Sequence, residues 1–295
     1  MGKYILSCCS TADLTEEHFK SIDVPYVSFT FEMDGKQYVD DLGKSISFDE
    51  FYKRVGAGAN VKTSQVNVEQ FETYFEGFLK DGYDILHVSL SSGISGVNNS
   101  AHMARENLIA KYPDRKILLV DSLAASSGYG LLIDVMAEKK KEGMTIDELY
   151  EWAEKNKLKF QHWFFTTDLT CFIKGGRVSK SAGFVGQMLS ICPLLNVDSK
   201  GTLQPREKIR GKKKAIDRIV EKMKEFAEDG INYSGKCYIS CSACLDDAKA
   251  VAEKVESEFK NLNGKVLINT IGTVIGCHTG PGTVALFFVG DERVE

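Results

Sequence analysis

The chain has 295 residues, 43% of them hydrophobic and 26% charged, a balance that supplies a packed core and excludes a low-complexity disordered protein. Its 37 basic and 41 acidic residues leave a net charge of −4, which argues against a protein that coats nucleic acid. No apolar run approaches the ~20 residues of a membrane span; the strings Ile117–Val120 and Val284–Val289 have strand length. The opening Met1-Gly2-Lys3-Tyr4-Ile5-Leu6-Ser7 is too short in apolar residues for a signal peptide. Leu6 stands where a myristoylation signal wants Ser or Thr. The eight cysteines are therefore expected as reduced thiols in a cytoplasmic protein.

In chain order, Tyr4–Ser7 reads as a short strand closed by a polar turn, Ser10–Asp13. Val24–Glu32 reads as a second strand with a turn at Asp34-Gly35. Ser47 and Glu50 form a capping-box pattern that opens a helix. Val68–Lys80 is an amphipathic helix with Phe71, Phe75, Phe78 and Leu79 on one face. Strand Asp84–Leu90, a Ser/Gly loop and helix Asn98–Tyr112 follow, then strand Lys116–Asp121 and helix Tyr129–Glu142, and a further helix over Thr145–Lys157. Repeated strand, loop and helix predict a parallel sheet covered by helices. Residues 1–155 are therefore expected to form an N-terminal α/β domain. In 156–295, six short strands surround two or three helices: 162–166, 194–198, 202–207, 236–242, 265–271 and 283–289. The Asp198–Gly201 turn suggests a hairpin there. This half is expected as a C-terminal α+β domain with a mixed or antiparallel sheet.

Several segments have the residue types that chemistry needs. Ser89–Gly96 joins a buried strand to a helix, where free backbone N–H groups and the helix dipole favour an anion. The hydroxyls of Ser91, Ser92 and Ser95 add donors; the plainer reading is a capped turn. The loop is neither a nucleophile elbow nor a Walker loop, for want of the second spacer residue and of a following Lys. Gly56–Gln65 is a second small polar loop whose Thr63, Ser64 and Gln65 have no apolar task, or else a solvated turn. In Phe172-Ile-Lys-Gly-Gly-Arg177 the paired glycines can aim Arg177 at an oxyanion, or leave it on the surface. His278 sits in a Gly/Pro-rich turn, Cys277–Thr283, able to donate to a carboxylate or simply satisfied by its neighbours; no second ligand near it supports a metal. Cys237, Cys241 and Cys244 have an iron–sulfur spacing, but Tyr238–Ser242 reads as a strand running to a helix cap. The basic run Arg206, Lys208, Arg210, Lys212–Lys214 is a solvated face or a dock for an acidic or phosphate-bearing partner. The apolar segment Phe184–Leu195, with Trp163–Phe165 and Phe172, is core or the wall of a long apolar cavity.

These pieces in this order resemble the DegV family of bacterial fatty-acid-binding proteins. The resemblance spans nearly the whole chain and rests on Thr63-Ser64-Gln65, Ser91–Gly96, Asp121-Ser122, Phe172–Arg177, the basic run after Arg206, and His278–Gly282. It implies two α/β domains with a long-chain fatty acid buried between them. Thr63, Ser95 and His278 would hold the carboxylate, with Ser64, Ser92, Gly96 and Arg177 as further head-group candidates and Arg206 and Arg210 facing a partner. It also implies a non-catalytic acyl-carrying subunit. A separate ATP-dependent fatty acid kinase subunit would then phosphorylate the carboxylate to an acyl phosphate, which links the chain to phospholipid metabolism. No cofactor, nucleic acid or membrane span is expected, while transient contact with a membrane surface stays open. Val66 stands where the family often has Pro, and Val97-Asn98 where it often has Thr-Tyr. Two other readings compete: a stand-alone enzyme acting on a small polar or phosphorylated ligand at the Ser/Gly loop, and a cluster protein using the three cysteines.

Overall fold

The computed structural model describes residues 3–179 and 190–295. The apolar runs of the first half pair as expected. Strands β1 (Tyr4–Cys9), β2 (Tyr26–Val27), β6 (Asp84–Ser89) and β7 (Ile117–Asp121) form a parallel sheet in the order β2-β1-β6-β7. Its central strands are almost wholly buried, because helices cover both faces of a parallel sheet and leave no wet side. Helix α3 (Val68–Lys80) leads into β6, and α4 (Val97–Ile109) crosses from β6 to β7. Asn67 and Gln70 cap the start of α3 reciprocally, which fixes its first turn. Ser47 Oγ accepts from Glu50 N at 3.3 Å and starts α2 (Phe48–Gly56).

One expected strand divides. Val24–Glu32 splits into β2 and β3 (Thr30–Met33), and the two join different sheets. β3 pairs antiparallel with β4 (Lys36–Val39) through Asp34 (φ 52°) and Gly35 (φ 82°), the positive-φ pair a tight hairpin requires. Its other neighbour is β5 (Val61–Ser64), so Thr63 and Ser64 lie on a strand rather than in a loop.

The second half builds a six-stranded mixed sheet in the order β10-β9-β8-β13-β11-β12. These strands are β8 (Phe160–Thr166), β9 (Ile191–Val197), β10 (Leu203–Arg210), β11 (Tyr238–Cys241), β12 (Leu267–Thr270) and β13 (Thr283–Val289). The hairpin at Asp198–Gly201 forms as expected between β9 and β10. β11 and β12 are parallel, joined by α9 (Leu245–Glu258). The chain is thus an α/β protein with a parallel sheet and a mixed sheet.

Side chains alternate across the mixed sheet. Trp163 and Phe165 pack on one face with α8 (Lys212–Phe226) and α9, while Phe164, Ala285 and Phe287 face the first half. That second face shares one core with the parallel sheet. Of the two readings of Trp163–Phe165, core or cavity wall, the core reading holds for Trp163 and Phe165, while a period of two turns Phe164 toward the first half. The Phe184–Leu189 part of the apolar segment lies outside the described residues. α5 (Ser127–Lys141), which follows β7 in sequence, packs on β8, β11 and β13, and α6 (Ile146–Asn156) follows it. Three short helices were not foreseen, the first being α1 (Glu16–Ser21). α7 (Thr170–Lys174) precedes the paired glycines, and α10 (Thr273–Thr279) carries His278 in its last turn, where a Gly/Pro turn was expected. No helix among the described residues is long and apolar enough to cross a membrane.

Candidate functional site

A cavity of about 500 Å³ lies between the shared-core face of the mixed sheet and the elements of the first half, within the ~300–1,000 Å³ of small-molecule sites. Phe164 from β8 and Ala285 and Phe287 from β13 form its floor; Val274 and Ile275 of α10, with Phe29 and Phe172, close it over. All are apolar, so they offer a hydrocarbon contact and no specific bond.

One end differs. Thr63, Ser64, Gln65, Ser95, Arg177 and His278 all line the cavity, so residues more than 200 positions apart converge. β5 delivers Thr63, the last turn of α10 delivers His278, and the loop entering α4 delivers Ser95. His278 Nε2 lies 2.9 Å from Thr63 Oγ1, and its Nδ1 lies 3.5 Å from Arg177 Nη1. A guanidinium only donates, so Nδ1 is the lone-pair nitrogen and Nε2–H donates to Thr63. The Thr63 hydroxyl proton is then left to donate into the cavity. Burial, reinforced by the Arg177 charge, lowers His278 to about 4, which keeps the ring neutral.

Arg177 is half-buried, and burial lowers its pKa. Its Nε donates to Ile94 O at 3.1 Å and Nη1 to Gly175 O at 2.6 Å. Among the described residues it has no carboxylate partner. A half-buried cation without a counter-ion is costly, and an anion at this end would relieve the cost. Ser95 Oγ accepts from Val97 N at 3.2 Å and sits 3.5 Å from Gln65 Oε1; Gln65 Nε2 donates to Ser100 Oγ at 3.0 Å. The positive end of the α4 dipole therefore also points at this mouth. Arg177 lines a second, outer cleft of about 510 Å³ with Gly93, Gly176 and Pro205.

Two expected residues stand aside. Ser92 is exposed, and its amide donates to Asp121 Oδ1 at 3.1 Å, which braces the loop from outside the lining. Gly96 is the cap of α4 and packs on the Gln65 amide. Asn67 and Ser126 line the cavity without having been singled out. Asn67 had a visible signal as the cap of α3, whereas Ser126 is marked only by a left-handed backbone, φ 54°, which sequence does not display. Arg206, Lys208 and Arg210 alternate on the exposed face of the edge strand β10, and Arg206 Nε donates to Asn196 Oδ1 at 2.8 Å. The three cysteines of the cluster reading do not converge, since the described residues hold no group of three metal-binding side chains.

The family model described as "Uncharacterised protein, DegV family" matches residues 9–291. A DegV domain-containing protein of Clostridium perfringens is 37% identical over 99% of each chain. A DegV lipid-binding protein of Thermotoga maritima superposes with a TM-score of 0.83 at 30% identity, covering 99% of both chains. A second T. maritima protein, whose structure is described as revealing fatty acid binding function, gives 0.81 at 30% identity over 99% of this chain and all of its own. A Thermus thermophilus family member described by its fatty acid binding gives 0.87 at 26% identity, over 98% and 100%.

Proposed function

The chain belongs to the DegV family, and from that premise we propose that its cavity holds a long-chain fatty acid with the carboxylate at the Thr63–Ser95–Arg177–His278 end. One observation carries the reading: in a largely apolar cavity Thr63, Ser95, Arg177 and His278 gather at one end, and there a half-buried Arg177 has no carboxylate partner among the described residues. Burying methylenes contributes about 0.8 kcal/mol each, so a sixteen-carbon chain gains on the order of 10 kcal/mol before ordering costs. The carboxylate would meet the Thr63 and Ser95 hydroxyls and the guanidinium, which replace its lost water. His278 orders Thr63. The T. maritima and T. thermophilus relatives described as lipid or fatty acid binding support the same ligand class.

The finer role is that of an acyl-carrying subunit. The head group is presented through the outer cleft beside Arg177 to a separate ATP-dependent kinase subunit, which converts the carboxylate to an acyl phosphate. Support comes from the lack of a phosphate-binding Walker loop in the sequence, and from the exposed Arg206 and Arg210 on β10, the strand whose Leu203–Pro205 end lines that cleft. We assign this work to the cytoplasm and divide the chain into two domains near residue 155. Denaturing extraction of protein purified from a bacterial host, followed by mass spectrometry, is expected to release fatty acid. Thr63→Ala with Ser95→Ala is expected to weaken acyl binding more than tenfold, since two donors to a charged group are lost. A folded protein without extractable lipid, and with unchanged acyl affinity in the double variant, refutes the assignment.

A further inference from the structure

The sequence Cys241-Ser-Ala-Cys244 bridges the end of β11 and the start of α9. β11, α9 and β12 make a βαβ unit with parallel strands, and a C-x-x-C at the strand-to-helix step of such a unit is an arrangement suited to thiol–disulfide exchange. Cys241 is the last strand residue, Ala243 takes a left-handed conformation (φ 52°), and Cys244 is the N-cap of the fourteen-residue α9. The turn folds the two thiols together: the Cys244 S–H has two acceptors within reach, Thr283 O at 3.2 Å and the Cys241 sulfur. The hydrogen bond between the two thiols holds Cys241 below the ordinary thiol range and, with burial, holds Cys244 above it. Cys241 is buried and Cys244 is partly exposed, so an incoming oxidant meets Cys244 first. Cys237 lies four residues back along the strand, about 13 Å away at the usual rise, too far to compete.

The same loop is tied to the acyl site. Gly282 N donates to Ser242 O at 2.7 Å, Ser242 N to Thr283 O at 3.0 Å, and Thr283 N to Ser242 Oγ at 2.9 Å. Thr283 lines the cavity, four residues beyond the end of α10. We propose that Cys241 and Cys244 are a dithiol that closes reversibly to a disulfide, a modification site on the turn behind the head group. With a small-molecule disulfide as oxidant, one cysteine sulfur attacks it and releases one thiol. The second cysteine then displaces the other thiol and forms the Cys241–Cys244 bond. Two protons and two electrons leave the protein, and the oxidant is reduced to two thiols. Closure removes the Cys244 S–H, and Thr283 O loses that donor.

The test uses the full chain equilibrated across oxidised-to-reduced glutathione ratios, then denatured in iodoacetamide and digested with trypsin. The peptide Cys237–Lys249 holds all three cysteines. It is expected to have three alkyl groups at the reducing end and one, on Cys237, at the oxidising end. Cys237→Ser should leave this two-electron transition unmoved, while Cys244→Ser should show no internal disulfide at any ratio, Cys241 being either alkylated or bound to glutathione. Full alkylation across the series, or only a glutathione adduct without a Cys241–Cys244 link, overturns the proposal. In the disulfide form, affinity for a fluorescent fatty acid is expected to fall roughly two- to tenfold, the worth of one neutral hydrogen bond. Equal affinity in both forms overturns the coupling to the cavity. The thiol transition does not depend on what the cavity holds, so its failure is distinct from failure of the lipid reading.

Discussion

Gly175 ends α7 with ordinary helical dihedrals, φ −75° and ψ −10°, so its backbone accepts alanine without strain. Space does not. A Cβ there would stand 2.3 Å from His278 Nδ1 and 3.1 Å from Cys171 O. Ordinary carbon contact begins near 3.4 Å, so in Gly175→Ala the imidazole must retreat by about 1 Å. His278 holds Thr63 at 2.9 Å and Arg177 at 3.5 Å from opposite nitrogens of one rigid ring. A shift of that size breaks at least one contact. If the ring orders the Thr63 hydroxyl for a carboxylate, the variant loses a charge-assisted bond, about 1.5–3 kcal/mol, or roughly 10- to 150-fold in affinity. Fluorescent fatty acid titration measures this, with circular dichroism to show that the variant is folded. An unchanged dissociation constant in folded Gly175→Ala would refute the claim that His278 orders the head group.

Further outcomes are expected. Gly77 is exposed inside α3 with nothing within 4 Å of a built Cβ, so Gly77→Ala should raise stability by about 0.5–1 kcal/mol in urea unfolding; a loss of stability would contradict the open surroundings. On the proposed acyl-carrying role, Arg206→Glu with Arg210→Glu should abolish acyl phosphate formation with the proposed kinase subunit while leaving acyl affinity within twofold, since both side chains are exposed; full turnover with the pair reversed would show that the partner docks elsewhere. His278 is lowered to about 4 from 6.5, so the unfolded chain takes up its proton first as pH falls. Wild type should therefore lose about 3 kcal/mol relative to His278→Gln between pH 6.5 and 4, and hold the full contribution above pH 6.5. Taking the difference between the two proteins matters because buried Asp13 and Asp40 are shifted upward and act in the opposite sense; parallel curves would show that His278 is not the buried neutral base.

The elements most legible in the sequence were those whose pattern was local. Val68–Lys80 and Thr283–Val289 stand where periodicity and apolar content put them, because one face, or both, must be buried whatever the tertiary partner. The Val24–Glu32 segment did not survive as one strand: propensity says extended, but only tertiary pairing decides which sheet each part joins. α10 was hidden because Gly272, Gly276 and Gly280 crowd a seven-residue helix. Gly276 is kept by a neighbour, since a Cβ there would meet the Tyr52 hydroxyl at 2.6 Å. At the site, Thr63, Ser95, Arg177 and His278 were visible as polar residues with no structural task. Their meeting was not, because it depends on an edge strand of one sheet, a loop of another and a helix from the far half of the chain.

That convergence also explains how the cavity is held open. The halves are joined by buried polar links as well as by grease. Thr273 N and Oγ1 donate to Asp40 at 3.2 and 2.6 Å, Tyr52 OH to Ile271 O at 2.7 Å, and Ser240 Oγ to Ser127 Oγ at 2.7 Å. Arg293 Nη1 donates to both Leu123 O and Asp198 O at 2.8 Å. Hydrogen bonds specify distance and direction in a way that apolar contact does not, so these links set the two walls at a fixed separation. The Asp40 and Tyr52 bonds hold the entry to α10, and the Thr63 bond holds its exit at His278. A helix pinned at both ends presents its imidazole without further ordering. On the proposed function, a fatty acid entering such a slot would spend little of its methylene free energy on organising the protein, and carboxylate bonds at the mouth would decide orientation rather than compensate for disorder.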